Sequence, residues 1–313
     1  MQLRVVIPTH ARPALLRRAL ESLSRARLPA SLEGIVVVEN GSDAGARAAC
    51  DDVADRLPIA YRHRDHPGKS RALRALVEEW REGPILFLDD DVRVSPGLLE
   101  AYDRAVRSSG PGHFFGGPLS IDHESEPAEW LKPELPASAT GWAPREGGLA
   151  LAHGETFPGA NFAAFAEDLL AVGGFDPRLG PGAHAPGAGA NPTGQERELQ
   201  LRLLQSGRKP VFVPDARVWH WVPAERCSPE WALERAARRA TSAVLRAQQT
   251  DADPGLRLLG VPARVWWAWA AAAPAALLAH TARSEEQRYR KRIGFQRARG
   301  RVRGHRLAAR TTR

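Results

Sequence analysis

Residues 84–88, Pro-Ile-Leu-Phe-Leu, run without a polar side chain straight into three aspartates, Asp89, Asp90 and Asp91. No face of such a segment suits water, so it reads as a strand covered on both sides, the pattern of a parallel sheet. Three adjacent carboxylates repel one another, and a cation is needed to hold them ionised together. The chain must therefore build a sheet buried on both faces whose strand ends open onto charged, ligand-facing groups. The same pattern occurs twice upstream: Leu3–Ile7 leads into Pro8-Thr9-His10, and Gly34–Val38 into Glu39-Asn40-Gly41-Ser42. Between these runs, apolar residues recur at helical spacing from Pro13 to Leu28 (Leu15, Leu16, Ala19, Leu20, Leu23), and Ala44–Arg56 and Lys69–Trp80 are further helix candidates around a short strand at Ile59–Arg62. This alternation predicts an α/β fold, a mostly parallel sheet flanked by helices with its ligand groups at the strand carboxyl ends.

The second half is less regular. Pro111–Pro158 is rich in Gly, Pro and Trp. Phe157–Phe165 resembles a strand of small residues, Glu167–Val172 a short helix, and Gly180–Gly194 a glycine-rich loop whose composition predicts mobility. Gln195–Ser206 has helical spacing, and Pro210–Pro214 and Ala216–Trp221 are strand-like. Near Pro223–Glu230 sheet patterning gives way to Arg- and Ala-rich helices, predicting one domain over residues 1–225 and a helical, basic extension over 226–313. With 43% hydrophobic residues a packed core is expected. The net charge of +8 is uneven: in Arg283–Arg313 only Glu285 and Glu286 oppose the basic residues. Such a run suits an anionic surface or solvent, and no nucleic-acid partner is expected. Val265–Ala279 is apolar, begins with Trp266, Trp267 and Trp269, and contains Pro274. A core helix, a helix lying in a membrane surface and a span are all open, although the stretch is short for a span. Cys50 and Cys227 stand in no metal-ligand spacing and read as ordinary thiols, and no leader pattern opens the chain, so the expectation is cytoplasmic, with a peripheral position on the inner membrane face under the surface-helix reading.

Several residues carry chemistry. Asp89 and Asp91 alternate along a strand end and share a side, a plausible clamp for a hard divalent cation and its phosphate ligands. A solvated acidic turn explains the same residues. His220 lies late in a strand-like segment, as a structural histidine also would. Glu196 and Glu198 open a helix, where carboxylates also favour the dipole. Lys69 and Arg71 flank Ser70 at another helix start, a phosphate-binding arrangement and equally a common surface pattern.

Eight segments in order resemble the family 2 glycosyltransferases of GT-A fold: Val6-Ile7-Pro8-Thr9, Val37–Ser42, Gly68–Leu73, Phe87–Asp91, Pro158–Phe162, Val172–Asp176, Gly194–Leu199 and Pro214–His220. The resemblance implies an inverting transfer from a nucleotide-diphosphate sugar, a UDP-sugar first, to an acceptor, with Mn²⁺ or Mg²⁺. It divides the domain into a nucleotide-sugar half (1–110) and an acceptor and catalytic half (111–225). It places Pro8, Thr9, Arg12, Glu39, Asn40, Lys69, Arg71, Asp89 and Asp90 at the donor, Asp89, Asp91 and His220 at the metal, and Glu196 as base. Trp130, Trp142 and Asn161 are expected at the acceptor, and the 180–194 loop as a lid. Two positions depart from the pattern: Glu39 stands where the family most often has Asp, and Gln195-Glu196 where it usually has Glu-Asp. Glu198 is the rival base. Residues two apart on a helix point to nearly opposite sides, and Leu199 and Leu203 continue the side of Glu196 toward the sheet. A binding scaffold that has lost catalysis, and a nucleotidyltransferase on a similar sheet, are the alternatives.

Overall fold

The apolar runs become strands, and alternate side chains of each enter opposite core layers. In the computed structural model, which describes residues 1–144, 155–182, 194–247 and 255–311, strand β1 (Leu3–Thr9) sends Leu3, Val5 and Ile7 into one layer and Val6 into the other. Strand β2 (Leu32–Asn40) splits Ile35 and Val37 from Val36 and Val38 in the same way, and β4 (Pro84–Leu88) splits Leu86 and Leu88 from Ile85 and Phe87. This period of two is why the sequence shows no polar alternation: both faces are interior.

Helix α1 (Pro13–Leu23) covers the first layer with Leu16, Leu20 and Leu23, together with α2 (Ala46–Asp51), which precedes β3 (Ile59–Arg64). Helix α3 (Lys69–Trp80) covers the second with Leu73, Leu76 and Val77. Helix α1 stops five residues before the expected Leu28. In its last turn Ser22 and Ser24 donate to the carbonyls of Ala19 and Glu21 and compete with helix continuation. Helix α2 is shorter than Ala44–Arg56, because Gly45 begins it in a left-handed conformation and residues beyond Asp51 continue as turns.

After β5 (Val92–Val94) come α4 (Leu98–Ser109), β6 (His113–Gly116) and β7 (Leu119–His123), elements hidden in the Gly- and Pro-rich region or just before it. Then follow the single turn α5 (Ala137–Thr140), β8 (Asn161–Phe165), α6 (Ala166–Ala171), α7 (Gln195–Gln205), β9 (Lys209–Phe212) and β10 (Val218–Val222). The main sheet has the order β3-β2-β1-β4-β8-β6-β9. Only β8 runs antiparallel to its neighbours. A second sheet, β5-β10-β7, pairs β10 antiparallel to β5 and parallel to β7.

These elements form one unit from residues 1–123, 137–182 and 194–222, among the described residues. A second unit, from residues 124–136, 223–247 and 255–311, holds α8 (Pro229–Ala247), the β11–β12 hairpin (Arg257–Leu258, Val261–Pro262), α9 (Ala263–Leu277) and α10 (Glu285–Thr311). The basic run is helix α10, packed on α8 through Gly300, whose backbone oxygen accepts from Thr241 at 2.9 Å. Helix α9 contains most of the apolar stretch. No helix among the described residues is long and apolar enough to cross a membrane, which removes the span reading. The two cysteines are free and buried, and burial pushes the Cys50 thiol up to about 12.

Candidate active site

Parallel pairing brings three strand ends together. Thr9 of β1 lies in register with Glu39 of β2, and β4 on the other side of β1 delivers Asp89–Asp91. The Thr9 hydroxyl donates to Asp90 Oδ2 at 2.7 Å. The Arg12 guanidinium donates to Asp91 Oδ2 at 2.8 Å and also to Asp90. Burial alone would depress Arg12, but Asp90, Asp91 and Asp89 together raise it, so it stays cationic. Burial pushes the fully covered Asp90 carboxyl up to about 6 against the pull of Arg12. Arg12 thus supplies part of the positive charge that three adjacent aspartates require.

Lys69, at the start of α3, supplies a further part, leaving the carboxylates in excess. Its Nζ lies 2.5 Å from Asp89 Oδ1 and 2.7 Å from Glu196 Oε1. Burial works to lower its pKa, yet Asp89 and Glu196 outweigh burial and raise it. In Asp89 burial is outweighed in turn by Lys69, and the carboxyl is held below its usual range. The start of α3 is fixed by a close approach of backbones. A side chain at Gly182, which has φ of +74°, would stand 2.8 Å from Gly68 N, so glycine is required there.

Glu196 and Glu198 occupy different surroundings. Glu196 meets Lys69 and accepts from Gln195 Nε2 at 2.8 Å. Glu198 is committed to Arg202 one turn on, at 2.6 and 2.7 Å. Glu196 is also seated against Gly159, where an added Cβ would come 2.5 Å from Glu196 Cγ. Gln200 of α7 holds the neighbouring segment by exchanging two hydrogen bonds with the backbone of Phe157, at 2.7 and 3.0 Å. Gly159 lies within one of the family-like segments, but nothing in the sequence signals these contacts.

The β10–β5 ladder aligns His220 with Val92, the residue after Asp91, and the Trp221 amide donates to the Asp91 carbonyl at 2.8 Å. His220 Nε2 then lies 3.4 Å from Asp91 Oδ1. Asp91 Oδ1 and His220 Nδ1 are buried without a hydrogen-bond partner. Buried polar atoms are rarely left so, and the unpartnered Asp91 Oδ1, facing His220 Nε2 across 3.4 Å, fits a bound cation between the two side chains. Among the described residues no three His, Cys, Asp or Glu side chains converge as a finished metal cage. Of the expected trio, Asp89 is engaged by Lys69, and Asp91 and His220 lie side by side. A hard divalent cation that takes substrate phosphate oxygens needs no complete protein cage.

Several other expected site residues are tied into the fold. Glu39 is fully buried and anchors a loop, accepting from Tyr61 Oη at 2.7 Å and the Ala44 amide at 3.0 Å. Asn40 is a buried strut between the Thr9 carbonyl and the Gly68 amide. Asn161, expected at the acceptor, is fully buried: it donates to the carbonyls of Pro118 and Ala216 and accepts from Tyr102 at 2.7 Å. Trp142 packs against Phe157 and Phe212 as partly buried core. Trp130 belongs to the second unit, its ring 5.5 Å from that of Tyr289. Pro8 is buried backbone of β1. Arg71 is exposed and lines a separate cavity of about 290 Å³ with His63, Arg64 and His66. The expected lid lies mostly in residues 183–193, and part of the expected acceptor region in 145–154, both outside the described residues.

The chain is similar to a mannosyltransferase, PcManGT from Pyrobaculum calidifontis, solved with GDP-Man and Mn²⁺, over 97% of this chain and 86% of that one, at a TM-score of 0.58 and 19% identity. It is similar to the 1–349 portion of TarS from S. aureus over 100% of this chain and 92% of that one, with a TM-score of 0.54 and 11% identity. It is also similar to GalNAc-T7, solved with UDP, GalNAc and Mn²⁺, over 82% of this chain but 52% of that one, at 0.52 and 16%. At these identities the likeness shows the fold, which is of the GT-A type. A search of curated proteins finds no match. The family model described as glycosyl transferase family 2 matches residues 4–165, just over half of the chain, and the chain belongs to that family.

Proposed function

We propose that this glycosyltransferase moves a sugar from a nucleoside-diphosphate sugar to an acceptor hydroxyl in a single inverting displacement, with Glu196 as general base. The observation that carries this reading is the Lys69 ammonium, held between Asp89 of the strand-end cluster and Glu196 at the start of α7. It joins the aspartate cluster to a second carboxylate on a different element. In the reaction the acceptor oxygen bonds to the anomeric carbon, the bond from that carbon to the diphosphate breaks, and the acceptor proton passes to Glu196. Lys69 fixes Glu196, and Arg12 holds Asp90 and Asp91 in place. Asp91 and His220 would hold a divalent cation, Mn²⁺ or Mg²⁺, together with donor diphosphate oxygens. Such a cation offsets charge on the departing diphosphate when bound.

A screen of nucleotide sugars with Mn²⁺ or Mg²⁺, beginning with UDP-sugars, tests the reaction without knowledge of the acceptor. Slow donor hydrolysis should release nucleoside diphosphate, and chelation should stop it. Release of nucleoside monophosphate with pyrophosphate would identify a nucleotidyltransferase instead. No release from any donor would identify a binding scaffold, and full release after chelation would remove the cation from the scheme.

Gly159→Ala tests the seating of Glu196. The new Cβ would meet Cβ, Cγ and Cδ of Glu196 within 2.8 Å, so the whole side chain must move. A displacement of about 1 Å should lower kcat on the order of 10²-fold with little change in melting temperature. Unchanged kcat would show that the position of Glu196 does not matter to turnover.

A further inference from the structure

The second unit contains a cavity of about 870 Å³ that the transfer reaction does not use. Six arginines line it: Arg235 and Arg239 from α8, Arg257 from the hairpin, Arg264 from α9, and Arg297 and Arg301 from α10. Among the described lining residues the one carboxylate is Glu134, and it already accepts from Arg297 at 2.9 Å. The floor between the arginines is apolar, made by small residues of α8 with Val265 and Ala268 of α9. Burial first, and then the neighbouring charges of Arg239 and Arg238, lowers the Arg235 guanidinium to about 10. An anion entering the cavity would relieve that repulsion, and guanidinium groups match phosphate oxygens in pairs.

A second feature borders these arginines in sequence. Leu256, Leu258 and Leu259 around Arg257 are 82%, 60% and 71% exposed, and Trp267, between Arg264 and Ala268, is 76% exposed. Along α9 and just past its end, Trp267, Ala271, Pro274 and Leu278 recur at helical spacing, and all four are exposed. The opposite side of α9 is packed: Val265 joins Val261 and Val302, and Trp269 stacks near Phe295. The helix is therefore core on one side and bare apolar surface, roughly 16 Å long, on the other. A soluble phosphate compound would account for the cavity but would leave this stripe facing water, which soluble proteins avoid.

We infer that the second unit is a docking surface for an anionic bilayer, with lipid phosphate headgroups in the arginine-lined cavity and Trp267, Leu258 and Leu259 in the interfacial layer. The charge of the cavity complements an anionic leaflet, and the exposed stripe on α9, the helix that also carries the cavity's Arg264, fits shallow insertion.

Co-sedimentation of the full chain with vesicles of phosphatidylcholine, alone or mixed with phosphatidylglycerol, tests this. Binding is expected only to the mixed vesicles and should weaken as salt rises. Arg257→Glu combined with Arg301→Glu should lower apparent affinity by roughly 25-fold or more, at about fivefold for each of the two basic residues lost. Trp267→Ser should weaken it as well. Both variants change exposed side chains and should keep the parent melting temperature and donor hydrolysis, so failure here is distinct from failure of the transfer scheme. Equal binding to both vesicle types, or none to either, would overturn the inference. So would inorganic pyrophosphate or a DNA duplex competing fully while Trp267→Ser has no effect, since the site would then serve a soluble polyanion.

Discussion

Glu196→Gln is expected to lower kcat for sugar transfer by about 10²–10⁴-fold while changing donor affinity by less than about twofold. Glutamine has the size of glutamate and keeps a carbonyl oxygen for Lys69 and Gln195, so the geometry persists while the proton acceptor is lost. Lys69 also keeps its second partner, Asp89, at 2.5 Å. The control is Glu198→Gln. Its carboxylate is spent on Arg202, whose guanidinium also donates to the Gly174 carbonyl at 2.7 Å and to Val172 O. That change alters a partly exposed ion pair and should leave transfer within about twofold. Single-turnover rates of the two variants beside donor affinities decide the matter. If Glu198→Gln is the damaging change, the base belongs at position 198.

The difference between these carboxylates is partly legible in the amino-acid sequence, because Leu199 and Leu203 mark the packed side of α7. The strand ends are legible for a similar reason. An apolar run with no alternation has two covered faces, and it stops where the polar residues begin, so Lys69–Trp80 and Pro84–Leu88 fall where the pattern puts them. Depth along the strand end is not legible. Glu39, Asn40 and Asn161 are the right chemical types near the right places. Whether such a group faces a ligand or serves as an internal tie depends on partners remote in sequence, such as Tyr61, Gly68 and Tyr102. Trp130 and Trp142 are ambiguous in the same way, since a tryptophan face packs on Tyr289 or Phe157 as readily as on a sugar. Helix α4 is hard to see although Leu98, Leu99, Tyr102 and Val106 are its buried residues, because glycines and prolines at both ends mask its period.

The Asp91–His220 pair, which the family resemblance implies, is assembled by the fold alone, and its removal should have the other large effect. The two residues meet because β10 pairs with β5, a ladder whose strands are distant in sequence and carry no local signal of their pairing. Asp91→Ala should reduce metal-dependent donor turnover on the order of 10³-fold, the loss of several kcal/mol of charge stabilisation. His220→Ala should be milder, raising the Mn²⁺ concentration for half-maximal turnover by about 10–100-fold, a cost typical of weakening a metal's surroundings. The ranking follows from charge, since the carboxylate neutralises the cation while a neutral imidazole only donates a lone pair. Folding must be separated from chemistry, because Asp91 also anchors Arg12. Asp91→Asn serves this purpose: it keeps the shape and an oxygen for Arg12 at the 2.8 Å position, yet removes the negative charge. It should melt close to the parent and still lose turnover. Direct Mn²⁺ binding in the presence of nucleoside diphosphate, followed by electron paramagnetic resonance, gives the readout that activity alone lacks. Parent-like Mn²⁺ affinity in both Asp91 variants would exclude the residue as a ligand, and the buried Asp91 Oδ1 would then need another partner.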